Sequence, residues 1–296
     1  MFTFQCYNKK RVGVKNLDGI LYINKPKDWT SFDVVAKCRR LLHTKSIGHT
    51  GTLDPQATGV LVLLVGRATK ILPYLEKSRK EYIAELEFGK KTSTGDIWGE
   101  VVDTSEIREV SELEINDVLK SFLGKSMQKP PMVSAIKKDG KKLYEYARAG
   151  IDIEVEKRPI EIFDIELLSV SPLRFRAVVS AGCYIRSLCE DIAERLGMLG
   201  TMSALTRTKV ENISLEDCVD LSEVNDTIQL HEMEQVLSGV MPMHEVSDAM
   251  LIHVKNGKRL YIQREEELLC LTHQHKAVAI AYKDEDVYRI KRGLWV

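Results

Sequence analysis

Cysteine is sparse in this chain of 296 residues, and what there is of it is scattered. Cys6, Cys38, Cys183, Cys189, Cys218 and Cys270 form no C-x-x-C pair. That pattern indicates neither a disulfide framework nor a thiolate zinc site, and it fits a reduced cytoplasm. No apolar run approaches the roughly 20 residues that a membrane helix needs, so no membrane partner is expected. Met1 to Asn16 is polar and basic and lacks the apolar centre of a signal peptide. Nucleotide signatures are missing too: neither G-x-x-x-x-G-K-S/T nor G-x-G-x-x-G occurs. There is no G-x-S-x-G nucleophile elbow. His273 and His275 stand too close together in a strand-like stretch to hold a metal.

Net charge is also lacking, since 43 Lys and Arg balance 43 Asp and Glu. The balance hides segregation. Residues 1–80 carry 15 Lys/Arg against 5 Asp/Glu, a net of +10, and residues 120–148 carry 8 against 2, a net of +6. Residues 96–118 carry 1 against 8, a net of −7, and residues 211–248 carry 0 against 10, a net of −10. Such asymmetry predicts a basic face and an acidic face, and the basic one suits a polyanion.

What the chain does have is the run Gly48-His49-Thr50-Gly51-Thr52-Leu53-Asp54-Pro55-Gln56-Ala57-Thr58-Gly59. A stretch this rich in Gly and Thr forms a shaped loop, not core. The apolar run behind it, Val60 to Val65, reads as a strand buried on both faces. Around it, Gly19–Asn24 reads as a strand, and a helix capped by Thr30 follows. Arg67–Lys77 reads as a helix ended or kinked by Pro73, and Lys80–Phe88 as an alternating strand. Residues 89–103 read as hairpin or loop. Ser111–Glu114 opens a helix to about Leu123, and Met132–Lys137 reads as a strand. Strands at Ile160–Val170 and Leu173–Val179 precede a helix from Gly182 to about Leu196, and Ser203–Val210 closes the set. Helices and strands mix without a regular βαβ rhythm, which predicts an α+β fold with a mixed, mainly antiparallel sheet. The last 50 or so residues alternate as short strands and suit a small β-barrel. The expected units are an N-terminal extension over 1–18, a catalytic domain over 19–240 and a small domain over 247–296.

Asp54 is the first candidate for chemistry. Asp-Pro alone is a common turn, but here glycines allow a ligand to approach and His49, Thr50 and Thr52 supply polar groups. The carboxylate is open to three roles: nucleophile, general base or electrostatic stabiliser. Arg186 falls in the first turn of a helix, where a cation opposes the macrodipole, so it calls for an anionic partner. Pairing with Asp54 would orient that carboxylate and keep it ionised; the plainer reading is a surface arginine. Tyr82 is placed to stack on a base or simply to pack on the sheet face. Lys137, Lys138, Lys141 and Lys142 surround an Asp139-Gly140 turn, which makes a hairpin tip suited to phosphates. Lys25/Lys27 and Arg39/Arg40 add basic groups near loops.

Together these residues resemble the bacterial tRNA pseudouridine synthase B (TruB) family, with guide-RNA-dependent synthases as relatives. The resemblance runs from about Gly19 to Leu215 and weakens beyond. It rests on Ile23-Asn24-Lys25-Pro26 with Trp29-Thr30-Ser31, the Gly48–Pro55 run, Lys80-Glu81-Tyr82, and Pro130–Lys137 with Gly140–Tyr144. Tyr184–Leu188 and Ser203–Thr208 complete it. The resemblance implies a pseudouridine synthase fold with a C-terminal PUA-like barrel. It implies isomerisation of uridine 55 in the T-loop of tRNA, with no cofactor and no metal. Asp54 would be the essential carboxylate, Arg186 its partner, and Tyr82 the stacking face and an acid/base group. Leu205 would pack on the base and His49 would stack in the opened loop of the RNA. Tyr184, Lys25, Lys137, Lys141 and Lys142 join them as expected substrate or RNA contacts. The expected partner is the T-arm of tRNA, met by a cytoplasmic monomer. Two departures stand out: Lys209-Val210-Glu211-Asn212 replaces a basic, glycine-containing continuation, and the last segment is short and carries the run Glu265-Glu266-Glu267. Rival readings are a non-catalytic RNA-binding or RNA-folding protein, and the same isomerisation on another RNA.

Overall fold

The computed structural model describes residues 17–76, 78–151 and 153–295. All but the last two residues of the expected N-terminal extension lie outside the described residues. β1 (Gly19–Lys25) leads into α1 (Ser31–Leu41), whose N-cap Thr30 and Asp33 form a reciprocal capping box. β2 (Ile47–His49) and β3 (Thr58–Val65) flank the Asp54 loop. A 3-10 turn (Gly66–Ile71) and α2 (Leu72–Leu75) precede β4 (Lys80–Phe88) and the hairpin of β5 (Lys90–Thr92) with β6 (Val101–Thr104). Then come α3 (Glu112–Lys120), β7 (Gly124–Gln128), β8 (Lys137–Lys138), β9 (Lys141–Lys142) and α4 (Leu143–Arg148). β10 (Arg158–Val170), β11 (Leu173–Val179), α5 (Ile185–Arg195) and β12 (Gly200–Val210) complete the part that carries the site. β13 (Ile213–Ser214), β14 (Val219–Asp220), α6 (Met233–Leu237), β15 (Met243–Glu245), α7 (Asp248–Lys255), β16 (Leu268–His273), β17 (Lys276–Asp284) and β18 (Val287–Gly293) follow.

The main sheet has ten strands in the order β14-β1-β3-β12-β4-β11-β10-β7, with β2 also on β3 and β13 also on β12. Only β1–β14 and β3–β12 pair in parallel, so the sheet is mixed and mainly antiparallel. β3 is buried on both faces, and its period of two shows why. Val60, Val62 and Leu64 join one hydrophobic cluster with Ile20 and Ile71, while Leu61, Leu63 and Val65 join another with Val34 and Cys38. A third cluster joins Tyr82, Ala84 and Leu86 of β4 to α3 and α5. The reactive loop therefore hangs on a strand buried on both faces.

Gly59 opens that strand at φ +104, opposite Arg207 of the parallel neighbour β12. A Cβ built there would lie 2.2 Å from the Arg207 carbonyl oxygen. Gly59→Ala is therefore expected to destabilise the fold by at least about 3 kcal/mol, through both the strained φ and the backbone clash. A urea midpoint that falls with an unchanged slope would show it; an unmoved midpoint would mean that β12 shifts freely.

Two expectations fail, one is met only in part, and one strand escapes the sequence reading. Met132–Lys137 is not a strand: Arg186 takes the Val133 carbonyl, and Tyr144 and Leu143 donate to the Ser134 and Ile136 carbonyls, so only the two-residue strands β8 and β9 pair. The helix expected from Arg67 is interrupted near Pro73, as its missing N–H suggests: the 3-10 turn ends at Ile71 and α2 starts afresh. β7 went unread because Gly124, at φ +91, looks only like a helix stop; it also turns the chain onto the edge of β10. The last segment is not a closed barrel. Its sheet is open, in the order β15-β16-β17-β18, and the outer edge of β18 takes a single bridge from Leu260. Its residues Val254, Leu269, Leu271 and Tyr288 form a small core, while Cys270 and Ile280 pack with the main sheet. Among the described residues no helix is long and apolar enough to cross a membrane.

Candidate active site

Three elements pin the Asp54 loop from beneath. The Lys25 ammonium, at the end of β1, donates to the carbonyls of Pro26 (2.9 Å), Trp29 (2.6 Å) and Pro55 (3.0 Å). From the start of α1, the Ser31 hydroxyl accepts from the Leu53 N–H at 2.9 Å and lies 3.1 Å from its carbonyl. From β12, Arg207 Nη2 donates to the Gly51 carbonyl at 3.0 Å and Nε to that of Val60 at 2.7 Å. These contacts consume the loop's inward carbonyls. The Asp54 side chain, 38% exposed, is left facing outward.

Arg186 meets it from the first turn of α5. Its Nε lies 3.0 Å from Asp54 Oδ2, and its side chain is only 5% exposed. Nη1 donates to the Thr94 carbonyl at 2.7 Å and Nη2 to the Val133 carbonyl at 2.8 Å. Asp96 Oδ2 stands 4.0 Å from Nη1. Each arm of the planar fork has a partner, so the guanidinium has little freedom to move and fixes the carboxylate beside it. The helix start is held in turn by Gln128: its Oε1 accepts from the Tyr184 N–H at 2.8 Å and its Nε2 donates to the Tyr184 carbonyl at 3.0 Å.

A cleft of about 320 Å3 opens above the pair, walled by Tyr82, Tyr184 and Leu205 and floored by Lys80 and Arg207. That volume lies at the small end of ligand sites. Tyr82 and Leu205 come from adjacent strands, with Leu205 opposite Ala84 and Arg207 opposite Tyr82. Burial pushes the Lys80 ammonium down to about 8, and the nearby Arg207 adds to the effect. Burial also pushes Lys25 down to about 8, against the pull of Asp54. The His49 imidazole is lowered by burial and then by Arg207. Among the described residues no carboxylate forms a salt bridge with Lys25, Lys80 or Arg207. The floor is thus a buried cationic surface whose donors are spent on the carbonyls of Ser78, Gly51 and Val60.

The sign of the Lys80 shift sets a stability test. Below pH 8 Lys80 is charged in both states, and its burial weighs fully on the fold. Between pH 8 and 10.5 the folded state releases a proton that the unfolded state keeps, so this burden lifts as pH rises. Lys80→Met is expected to be at least as stable as the parent at pH 7. Its advantage should shrink by up to about 3 kcal/mol toward pH 10.5. Urea unfolding at both pH values checks this; an advantage that grows with pH would refute it.

Of the site residues expected from sequence, Asp54, Tyr82, Tyr184, Arg186 and Leu205 come together at the cleft. Lys25 does not belong with the RNA contacts: it is 0% exposed, and its ammonium serves the loop. His49 stands half-buried on β2, at the entry to the loop and off the cleft wall. Lys137 and Lys141 are exposed and Lys142 is half-buried on the β8–β9 hairpin, beyond the Ser134–Ala135 wall. Sequence reasoning missed Asp96 and Gln128, which no local pattern marks. Lys80 and Arg207 stand inside the Lys80–Tyr82 and Ser203–Thr208 runs, where no local pattern marks them as site residues. Among the described residues no group of three His, Cys, Asp or Glu is arranged to hold a metal ion.

Comparison with known proteins places the chain among its relatives. A family model described as the N-terminal domain of TruB family pseudouridylate synthase matches residues 39–185, and one for the tRNA pseudouridylate synthase B C-terminal domain matches residues 186–264. The tRNA pseudouridine synthase B of Geobacillus thermodenitrificans is 41% identical over 288 residues, covering 90% of this chain and 95% of that one. That of Bacillus subtilis is 42% identical over 259 residues, covering 82% and 84%. Among solved structures, a chain of a Cbf5-Nop10-Gar1 complex superposes with a TM-score of 0.73 at 24% identity, over 95% of this chain and 86% of that one. A chain of an H/ACA RNP bound to a substrate RNA containing 2′-deoxyuridine gives 0.70 at 22%, over 94% and 85%.

Proposed function

The chain belongs to the TruB family of pseudouridylate synthases, and from that premise we propose that it isomerises a uridine of tRNA to pseudouridine, at position 55 in the T-loop. The observation that carries the proposal is the Asp54–Arg186 pair at 3.0 Å, set below a cleft walled by Tyr82 and Leu205. The target base lies inside a folded RNA loop and must be flipped out, at a cost of roughly a few kcal/mol. Tyr82 takes the face of the flipped uracil, and Leu205 packs against it. The bond from N1 to C1′ breaks, the uracil turns, and C5 joins C1′. C5 loses a proton and N1 gains one, so the reaction balances without a cofactor. Asp54 acts on C1′, on the ring or on a ribose proton; each role needs the same carboxylate held in one place.

The exposed lysines of the β8–β9 hairpin support an RNA substrate, since they are suited to phosphate. A separate catalytic unit over 19–240 and a PUA-like RNA-binding unit over 247–296 form part of the proposal. The small core of the open C-terminal sheet supports it. The protein would act as a cytoplasmic monomer. Purified protein incubated with an unmodified tRNA transcript should place pseudouridine in the T-loop, read by mass spectrometry of nuclease fragments. Product at another position would move the substrate assignment, and no product in any RNA would leave only a binding protein.

A further inference from the structure

Asp54 and Arg186 border two cavities. Besides the cleft that holds Tyr82, a second cavity of about 260 Å3 shares the walls Asp54, Val133, Arg186 and Leu205 and is closed on its far side by Trp98. Trp98 is 43% exposed, an unusual place for an indole in a folded chain. The Lys27 ammonium lies over its ring, 5.6 Å from the centroid. Lys27 is itself exposed and has no salt bridge among the described residues.

The turn that carries the ring is held against the reacting pair. Trp98 sits in the turn between β5 and β6, where its backbone N–H donates to Asp96 Oδ1 at 3.2 Å. The Thr94 hydroxyl donates to the same oxygen at 2.6 Å, and the Gly99 N–H donates to the Asp96 carbonyl at 3.2 Å. A Cβ on Gly99 would lie 2.3 Å from the Thr94 hydroxyl, so the turn has no slack. The other oxygen of Asp96 is the one that faces Arg186. One carboxylate thus links the main chain at Trp98 to the guanidinium that holds Asp54.

We propose that Trp98 is a stacking platform for the nucleobase next to the target uridine in the RNA strand, with Lys27 meeting the adjoining phosphate. A part-exposed ring beside an exposed lysine is what single-stranded RNA uses: the ring takes any base and the cation takes the backbone. With the uracil on Tyr82, the neighbouring nucleotide falls on the other side of the Asp54–Arg186 pair, into the cavity that Trp98 closes. This assignment rests on the reading of the chain as a tRNA pseudouridine synthase.

The test uses a T-arm stem-loop RNA and versions of it with an abasic site at each position flanking the target. Trp98→Ala should raise KM roughly tenfold and leave kcat within about twofold. Trp98→Phe should recover most of the loss. Removing the stacked base should cost the parent protein a similar factor in KM and cost Trp98→Ala nothing more. Trp98→Leu, which keeps apolar bulk without a ring, carries the same expectation should the alanine variant unfold. An unchanged KM, or abasic penalties equal in parent and variant, would overturn the proposal. So would a fall in kcat alone, which would make Trp98 a prop for Asp96. A parent protein that makes no pseudouridine in intact RNA would instead overturn the functional reading.

Discussion

Asp54→Asn is expected to lower the single-turnover rate of pseudouridine formation by roughly 10^4-fold, the upper range for one acid–base group, while tRNA binding stays within a few-fold. Asparagine has the same shape, so the pins on the loop from Lys25, Ser31 and Arg207 remain. What disappears is the negative charge and the ability to attack a carbon or take a proton. The new amide also sets a donor or a neutral oxygen against Arg186, which keeps its bonds to Thr94 and Val133. Binding should hold because phosphate contacts come from cations elsewhere, and removing an anion from a polyanion site does not weaken it. Single-turnover assays with enzyme in excess, set beside filter binding, separate the two quantities. A variant that keeps more than about a hundredth of the parent rate would remove Asp54 from the chemistry.

How far a sequence reveals such a site depends on whether its signals are local. The two-faced burial of β3 was legible because six apolar residues in a row leave no polar side to turn outward. The helix of Arg186 was legible from its apolar spacing, and the awkward cation in its first turn pointed to an anion. The choice between Asp54 and an ordinary surface neighbour was not legible, because it depends on how β4, β12 and α5 pack. Asp96 lay hidden for the same reason: in an acidic stretch nothing distinguishes the one carboxylate that turns inward. Lys25 misled in the opposite direction. A lysine beside proline reads as a surface charge, and only the carbonyls of the loop above it explain why it is buried. The C-terminal strands alternate as barrel strands do, but closure depends on how the two edges meet, which no single strand encodes.

Arg186→Lys tests whether the geometry of the cation matters beyond its charge. A lysine ammonium at the same place can serve Asp54 or one of the two carbonyls, but not all three at their present positions. If it stays with Asp54, the Thr94 and Val133 carbonyls lose their donor, at about 1–3 kcal/mol each where they are buried. If it turns to a carbonyl, the carboxylate loses its brace and drifts. Either way kcat is expected to fall about 100-fold, the usual consequence of a displacement near 1 Å at a reacting group, with KM changed far less. Arg186→Met removes the charge as well and should do worse, by a further tenfold or so. The helix dipole works against this expectation, since a cation in the first turn of α5 costs about 0.3–1 kcal/mol. Relief of that term would stabilise the methionine variant, but two orphaned carbonyls and a carboxylate without its partner outweigh it. Thermal unfolding should therefore rank the parent above lysine and lysine above methionine. A lysine variant with kcat within threefold of the parent would show that charge alone suffices, and the fork between Asp54, Thr94 and Val133 would then be a feature of stability only.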